Sequence, residues 1–126
     1  MRLAALLAFL LFLPVAAFAM QINEIMYDLP GSDSGREWME VYQDKTNCVN
    51  VSDWKLFEAD TNHKITLFSG NPAICSGEYA VIADNPANFL IDNPGFGGNL
   101  FDSTFSLSNT GETIAVKDRD GNIADS

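Results

Sequence analysis

The chain has 126 residues, of which 47% are hydrophobic and 19% charged, and its formal net charge at pH 7 is −10. All 17 acidic residues follow residue 19, and the basic residues in that part of the chain are scattered singly. Nucleic acids and anionic lipid surfaces are bound through clustered lysines and arginines, so this charge argues against both as partners. The length after residue 19 suffices for one hydrophobic core but not for two.

The first 19 residues have the pattern of a secretory signal peptide. Arg2 provides a positive start, residues 3–18 are almost wholly apolar, and Ala17-Phe18-Ala19 has the small-x-small spacing that signal peptidase reads. The alternative is an uncleaved membrane anchor, but the apolar run is shorter than the roughly 20 residues of a span and no basic cluster follows it. We therefore predict a signal peptide at 1–19, a domain at 20–126, and a secreted or cell-surface location. The membrane is a partner only if the signal segment stays uncleaved.

After residue 19 the sequence alternates between short apolar-rich runs and turn residues, which is typical of a β-sandwich. A run at 77–84 is apolar on both faces, which predicts a central strand covered on both sides. One helical turn is predicted at 86–91, capped by Asn85, and a loop at 93–99. No sustained 3.6-residue apolar period occurs after the signal peptide, so the predicted class is all-β. Polar and apolar residues also alternate at 104–108. The predicted strands are 21–27, 37–42, 49–56, 63–68, 77–84, 113–117 and a last one from 122 that we expect to be truncated.

The run at 49–56 changes its parity. Val49 and Val51 alternate on one face, whereas Trp54 and Leu56 belong to the other. Because side chains alternate across a strand, all four can reach one core only if a bulge or turn lies at residues 52–53.

Two cysteines, Cys48 and Cys75, follow the signal peptide. An even number of cysteines in an exported chain favours a disulfide, although two free buried thiols are the alternative. Metal binding is less favoured because no CxxC or Cys/His spacing is present. Asn50 begins the sequon Asn-Val-Ser, so it is a candidate glycosylation site if it is exposed.

The residues that could support hydrolysis do not form a known motif. The segment 31–35 has Asp33 where a G-x-S-x-G turn requires serine, and His63 is the only histidine. A trio of Ser34, His63 and an aspartate is formally available, as chance alone provides in most domains. Glu40 could pair with Glu24 or Glu37 as glycosidase carboxylates, but strand-face residues are the simpler interpretation.

The segment 118–122, with Asp125 beyond it, is similar to a calcium loop. Its glycine, Gly121, comes too early for an EF-hand, and Asp-Gly is also an ordinary hairpin turn. We therefore predict no catalytic residues, no metal site and no cofactor.

Taken together, an ordered series of motifs resembles the lamin tail domain, in the form found on exported prokaryotic proteins. This resemblance implies an immunoglobulin-like β-sandwich without catalytic residues, acting as an accessory or interaction module and often placed beside hydrolase domains. Two departures are Gln43, where asparagine is usual, and the early stop of the last strand. The matching segments are 22–28, 35–42, 49–56, 77–84, 105–112 and 118–125.

Under this resemblance the large aromatic residues are expected to pack rather than to bind ligand. These residues are Trp38, Tyr42, Trp54 and Tyr79. The carboxylates of Glu24, Glu37 and Glu40 are expected to accept backbone hydrogen bonds near the loops.

The resulting functional hypothesis is an exported, non-catalytic binding or structural module that contacts a protein or a cell-envelope polymer. One alternative is the N-terminal accessory domain of a longer exported nuclease or protease. A nucleic-acid-binding module is the other, although the charge argues against it. The sequence assigns no binding residues.

Overall fold

A computed structural model describes residues 20–126, so the predicted signal peptide lies outside the described residues. Within that range the chain forms eleven strands and one helix. They are β1 Met20–Met26, β2 Trp38–Gln43, β3 Val49–Asn50, β4 Lys55–Glu58, β5 Thr61–Lys64, β6 Thr66–Ser69, β7 Ala73–Ile74, β8 Tyr79–Ala83, α1 Pro86–Asp92, β9 Asn99–Asp102, β10 Ala115–Lys117 and β11 Ile123–Asp125.

The strands form two main sheets with one core between them. The first sheet has the order β1-β2-β8-β9-β6 and the second the order β11-β10-β4-β5, while β3 and β7 form a separate pair. Both main sheets contribute to a single buried cluster that contains Met39, Ile82 and Phe101 from the first and Leu56 and Val116 from the second. The predicted all-β immunoglobulin-like sandwich is therefore confirmed.

Strand β8 is central, as predicted. Ala80 and Ile82 face the main core, and the intervening Val81 and Ala83 face a second cluster built around Phe89 of α1. The helix itself lies at the predicted position, and the side chain of Asn85 caps it by accepting a hydrogen bond of 3.1 Å from the Asn88 N–H. It connects β8 to β9, which run parallel, whereas the other strand pairs are antiparallel.

The predicted parity change at residues 52–53 is confirmed as a turn. Asp53 has a φ of 66°, in the left-handed region, and the turn allows Val51, Trp54 and Leu56 all to be buried. Val49 is half-buried and packs against the same core.

The single strand predicted at 63–68 is wrong. The chain forms β5 and β6 there, in different sheets, and the buried Ile65 marks the crossing. The Ile65 N–H donates to the Trp54 carbonyl at 2.8 Å, which holds this corner in place. Residues 63–68 contain no glycine or proline, so no turn signal in the sequence marks this corner.

Two strands lie where the sequence predicted none, namely β7 and β9. Strand β9 begins at Asn99, directly after a glycine-rich segment whose composition had indicated a loop. Residues 103–107 alternate between buried and exposed as predicted, but they pair with no strand of the described chain.

The predicted disulfide between Cys48 and Cys75 is present. Strand pairing explains it, because Val49 lies opposite Ile74 in the antiparallel pair of β3 and β7 and the two cysteines are the next residues outward. Asn50 is exposed, and its side-chain oxygen accepts a hydrogen bond of 2.9 Å from the Ser52 N–H. Glycosylation at Asn50 stays a prediction.

Candidate functional site: a groove beside the edge strand

A groove of about 390 Å³ lies next to β1. One wall is formed by Ile25 and Tyr27, and the other by the loop 107–112 together with Ile114. Ile25 and Tyr27 are 38% and 45% exposed, although both are large apolar side chains. Exposed apolar residues that line a concave surface are typical of binding sites.

A β-bulge places Ile25 in this groove. The register of β1 against β2 shifts between Ile22 and Glu24, so Ile22 lies opposite Val41 and Ile25 lies opposite Met39. Val41 and Met39 both face the core, and directly opposed residues share a face. Without the extra residue, Glu24 would occupy the inner face and Ile25 the outer one.

The opposite wall is fixed by a buried carboxylate. Glu37 is 3% exposed, and its Oε2 accepts a hydrogen bond of 2.8 Å from the Leu107 N–H. Further along this wall, the Glu112 carboxylate accepts from the N–H groups of Ser108 and Ala59. These bonds tie the loop to the body of the sandwich, so the groove exists before any ligand arrives.

The surroundings of the groove are electronegative. Burial raises the pKa of Glu37 despite the bond from Leu107, and the negative charges of Asp84, Asp33 and Glu112 act in the same direction. Arg36 does not neutralise this region, because its guanidinium lies 2.8 Å from an oxygen of Asp92. Among residues 20–126, no lysine or arginine lines the groove.

Within the described chain, Glu24 and Glu40 lie together, but the other residues considered for hydrolysis do not join them in a catalytic set. His63 Nε2 lies 2.9 Å from Glu58 Oε1, and no hydrogen bond within residues 20–126 joins it to Ser34. Glu24 and Glu40 lie opposite each other on β1 and β2, whereas Glu37 is buried on the other face.

The three carboxylates expected to bind backbone behave differently. Glu37 does so, at Leu107 N–H. Glu40 instead accepts 2.7 Å from the side-chain amide of Asn23. For Glu24 the described part of the chain contains no hydrogen bond of the side chain, so the expectation holds only for Glu37.

The carboxylate of Asp118 organises the turn that is similar to a calcium loop. One oxygen accepts from the N–H groups of Asp120 and Asn122, and the other from the Asn122 side chain. Burial raises the pKa of Asp118, but these hydrogen bonds outweigh it and hold the pKa below its ordinary value. Within residues 20–126 no three histidine, cysteine or acidic residues converge into a metal site.

Three of the four large aromatic residues pack as expected. Trp54 is 5% exposed, and Trp38 meets Phe89 edge-to-face with ring centroids 5.7 Å apart. Tyr42 is half-buried, but the expectation is wrong for Tyr79, which is 49% exposed. Tyr79 stacks on Tyr42 at 4.8 Å on the outer sheet face, where α1 does not reach.

Sequence reasoning did not identify the groove residues Ile25, Tyr27 and Ile114. The signal was present in the spacing of Ile22 and Ile25, because an apolar pair three residues apart within a strand indicates a bulge. The wall formed by the loop 107–112 is distant from β1 in the sequence, so no local pattern indicates that the two lie side by side.

Of the comparisons with known proteins, the one with protein families gives a match. Within residues 20–126, no helix is both long and apolar enough to cross a bilayer. No match was found among curated proteins or among solved structures. The family model for the lamin tail domain matches residues 16–126, which is most of the sequence. The chain therefore belongs to the lamin tail domain family, whose members are non-catalytic immunoglobulin-like domains.

Proposed function

We propose that residues 20–126 form an exported, non-catalytic module that binds a protein or a cell-envelope polymer. The observation that carries this proposal is the groove beside β1, whose walls are set by internal hydrogen bonds while Ile25 and Tyr27 stay exposed. Exposed apolar residues that line such a groove mark an interaction site, because a soluble surface rarely gathers them without use.

Export is supported by the disulfide between Cys48 and Cys75 and by the signal-peptide pattern of residues 1–19. Disulfides persist in oxidising compartments outside the cytoplasm and are rare within it. The bridge links β3 to β7 next to their paired residues, so it belongs to the structural framework.

The non-catalytic part is supported by the family and by the placement of the polar residues. The buried Glu37 is committed to a backbone N–H, and Asp118 is committed to its own turn. His63 lies against Glu58, on the second sheet. Each of these groups therefore has a structural partner.

The test begins with the full chain expressed with its own N-terminal segment and recovered after export. Mass spectrometry of the exported protein is expected to give Met20 as the first residue. The purified protein is then titrated against two separate preparations from the source cells, the envelope proteins and the envelope polymer, by co-sedimentation. Saturable binding to one of them is expected.

Two results contradict the proposal. One is the absence of saturable binding to both preparations. The other is hydrolysis of a peptide, glycan or nucleic-acid substrate that disappears in the Glu40→Gln variant. A gel-shift experiment at low salt addresses the nucleic-acid alternative, and no retardation is expected, because residues 20–126 contain 17 acidic and six basic residues, a formal charge of −11.

A further inference from the structure

We infer that the outer face of the second sheet binds a linear anionic polysaccharide that carries carboxylate groups along its chain. The contact surface is the lysine row, which consists of Lys64, Lys55 and Lys117 with Arg119 beside them. The inference rests on the proposed function, because it names the chemistry of one envelope polymer, and it uses a surface other than the groove.

The strand register places the three lysines side by side. Lys55 of β4 lies directly opposite Lys64 of β5 on one side and opposite Lys117 of β10 on the other. Directly opposed residues share a face of the sheet. The neighbouring Leu56 and Val116 point into the core, so all three lysines point outward. Neighbouring strands lie about 4.8 Å apart, so the row crosses about 10 Å of the sheet.

The lysine row departs from the charge pattern of the rest of the domain. Residues 20–126 contain six basic residues against 17 acidic ones, and four of the six belong to the row. They are scattered in the sequence, at positions 55, 64, 117 and 119, so only the fold brings them together. Like charges directly opposite each other in a sheet oppose folding. An arrangement that lowers stability in this way indicates a role in binding.

Local contacts hold the lysine side chains over the sheet face. Lys64 Nζ lies 2.9 Å from Asp53 Oδ1, and Lys55 Nζ donates to a carbonyl oxygen of the turn between β10 and β11 at 3.0 Å. Lys117 Nζ lies 3.6 Å from the centroid of the Phe57 ring, which is a cation–π contact. The three ammonium groups are therefore ordered before a ligand arrives, and binding loses less side-chain entropy.

A carboxylate of the chain itself already lies against the row. The hydrogen bond and charge of Lys64 are the main reason why the pKa of Asp53 lies below its ordinary value. The charges of Arg119 and Lys55 lower the same pKa further, so these cations act together at one point. The Asp53 side chain is 61% exposed, and a carboxylate from a ligand can therefore approach the same cations.

The charge around the row favours a linear polymer of moderate charge density. Apart from the four cations of the row, residues 20–126 carry 17 acidic and two basic residues, a formal charge of −15. A nucleic-acid duplex, with about one charge per 1.7 Å, presents dense charge to this acidic surface and is repelled, as is an anionic bilayer. A polysaccharide with one carboxylate per sugar contacts the row alone. An acidic peptide gains no main-chain pairing here, because the lysines stand on a sheet face and not along an edge.

The direct test titrates the exported full chain with polygalacturonate, a linear polymer with one carboxylate per sugar. Its control is the same polymer with methyl-esterified carboxylates, which removes the charge and keeps the sugar chain. Isothermal titration calorimetry at low salt is expected to show saturable binding of the first and no binding of the second. Raising the salt concentration to about 0.5 M is expected to weaken binding about tenfold, because exposed charges are screened.

Matched variants locate the contact. Lys55→Gln removes the central charge of the row, whereas Lys45→Gln removes a lysine that lies beside Asp44 and is 51% exposed. Lys55→Gln is expected to weaken the binding of polygalacturonate about fivefold, and Lys45→Gln to stay within about 1.5-fold of the wild type. If Lys55→Gln does not fold, as judged by circular dichroism, Lys64→Gln takes its place, because that side chain is 67% exposed.

Asp53→Asn is expected to give a gain that a purely structural role of the lysines would not produce. The substitution removes the carboxylate that competes with the ligand for Lys64. Asparagine accepts the left-handed φ of 66° at this position, so the turn is kept. Polygalacturonate is expected to bind about threefold more tightly to this variant than to the wild type.

Several outcomes overturn the inference. They are equal affinity in Lys55→Gln and wild type, equal binding of the esterified polymer, or no gain in Asp53→Asn. Tighter binding of polyglutamate or duplex DNA than of polygalacturonate also overturns it, because the partner is then an acidic protein segment or a nucleic acid. The same holds for a dimer in light scattering that Lys55→Gln converts to a monomer, because a second copy then occupies the row.

The envelope preparations separate this inference from the proposed function. If the exported protein binds the envelope polymer and Lys55→Gln leaves that binding unchanged, this inference fails while the proposed function stands. Absence of saturable binding to both envelope preparations is instead a failure of the proposed function.

Discussion

Removing the disulfide is expected to lower the free energy of unfolding by about 3.5 kcal/mol. The variant carries Cys48→Ala and Cys75→Ala together, so no free thiol is left. The bridge joins residues 27 apart, and the loop-entropy relation for a loop of that size gives about 3.5 kcal/mol at 25 °C. Cys48 is exposed and Cys75 half-buried, so removing the sulfurs opens no cavity in the main core. The loss is therefore dominated by the freedom gained by the unfolded chain.

Urea unfolding of the exported protein, followed by circular dichroism, measures this difference. For a domain of this size, about 3.5 kcal/mol corresponds to a fall of roughly 15–25 °C in melting temperature. The double variant is also the control for reductant, because dithiothreitol should destabilise the wild type by a similar amount and leave the variant unchanged. A loss below about 1 kcal/mol, or an equal effect of reductant on both proteins, refutes this reasoning.

Leu56→Ala is expected to lower the free energy of unfolding by roughly 2–5 kcal/mol in urea, because Leu56 is 0% exposed, whereas Ile91→Ala on the surface should stay within about 0.5 kcal/mol. Equal effects of the two would contradict the assigned core. Burial raises the folded-state pKa of Glu37, so above the ordinary carboxyl pKa the folded protein binds more protons than the unfolded one, and stability falls as pH rises through that window. Glu37→Gln should flatten this fall in unfolding measured between acid and neutral pH, and an unchanged slope would argue against the assignment. Calcium is expected to leave the melting temperature of the wild type unchanged, because the Asp118 oxygens already accept hydrogen bonds from the turn, and a rise on titration would show a metal site there.

Local patterns predicted the parts of the fold that depend on local geometry. The two-residue alternation indicated the strands, and the parity change between Val51 and Trp54 located a turn that the structure places at Ser52 and Asp53. The apolar faces of residues 77–84 identified a central strand, because both of its faces are covered.

Other features depend on contacts between distant segments. The corner at Ile65 divides residues 61–69 between two sheets, and it is held by the hydrogen bond from the Ile65 N–H to the Trp54 carbonyl, which is distant in the sequence. Strand β9 is recognisable only as the parallel neighbour of β8. The groove combines β1 with a loop about 80 residues later, which is why its residues looked like ordinary strand and turn positions.

The position of Met20 bears on the order in which the protein matures. Met20 is 1% exposed and pairs with Gln43 at the start of β1, directly after the predicted scissile bond. A peptidase requires its substrate extended and accessible, so cleavage there has to precede the docking of β1 or wait for it to open. We therefore expect two populations of a variant whose recognition by signal peptidase is altered at Ala19. Molecules that are cut are cut rapidly during translocation, and molecules that fold uncut are hardly cut afterwards. Pulse labelling of the exporting cells distinguishes this from slow cleavage throughout the life of the folded protein.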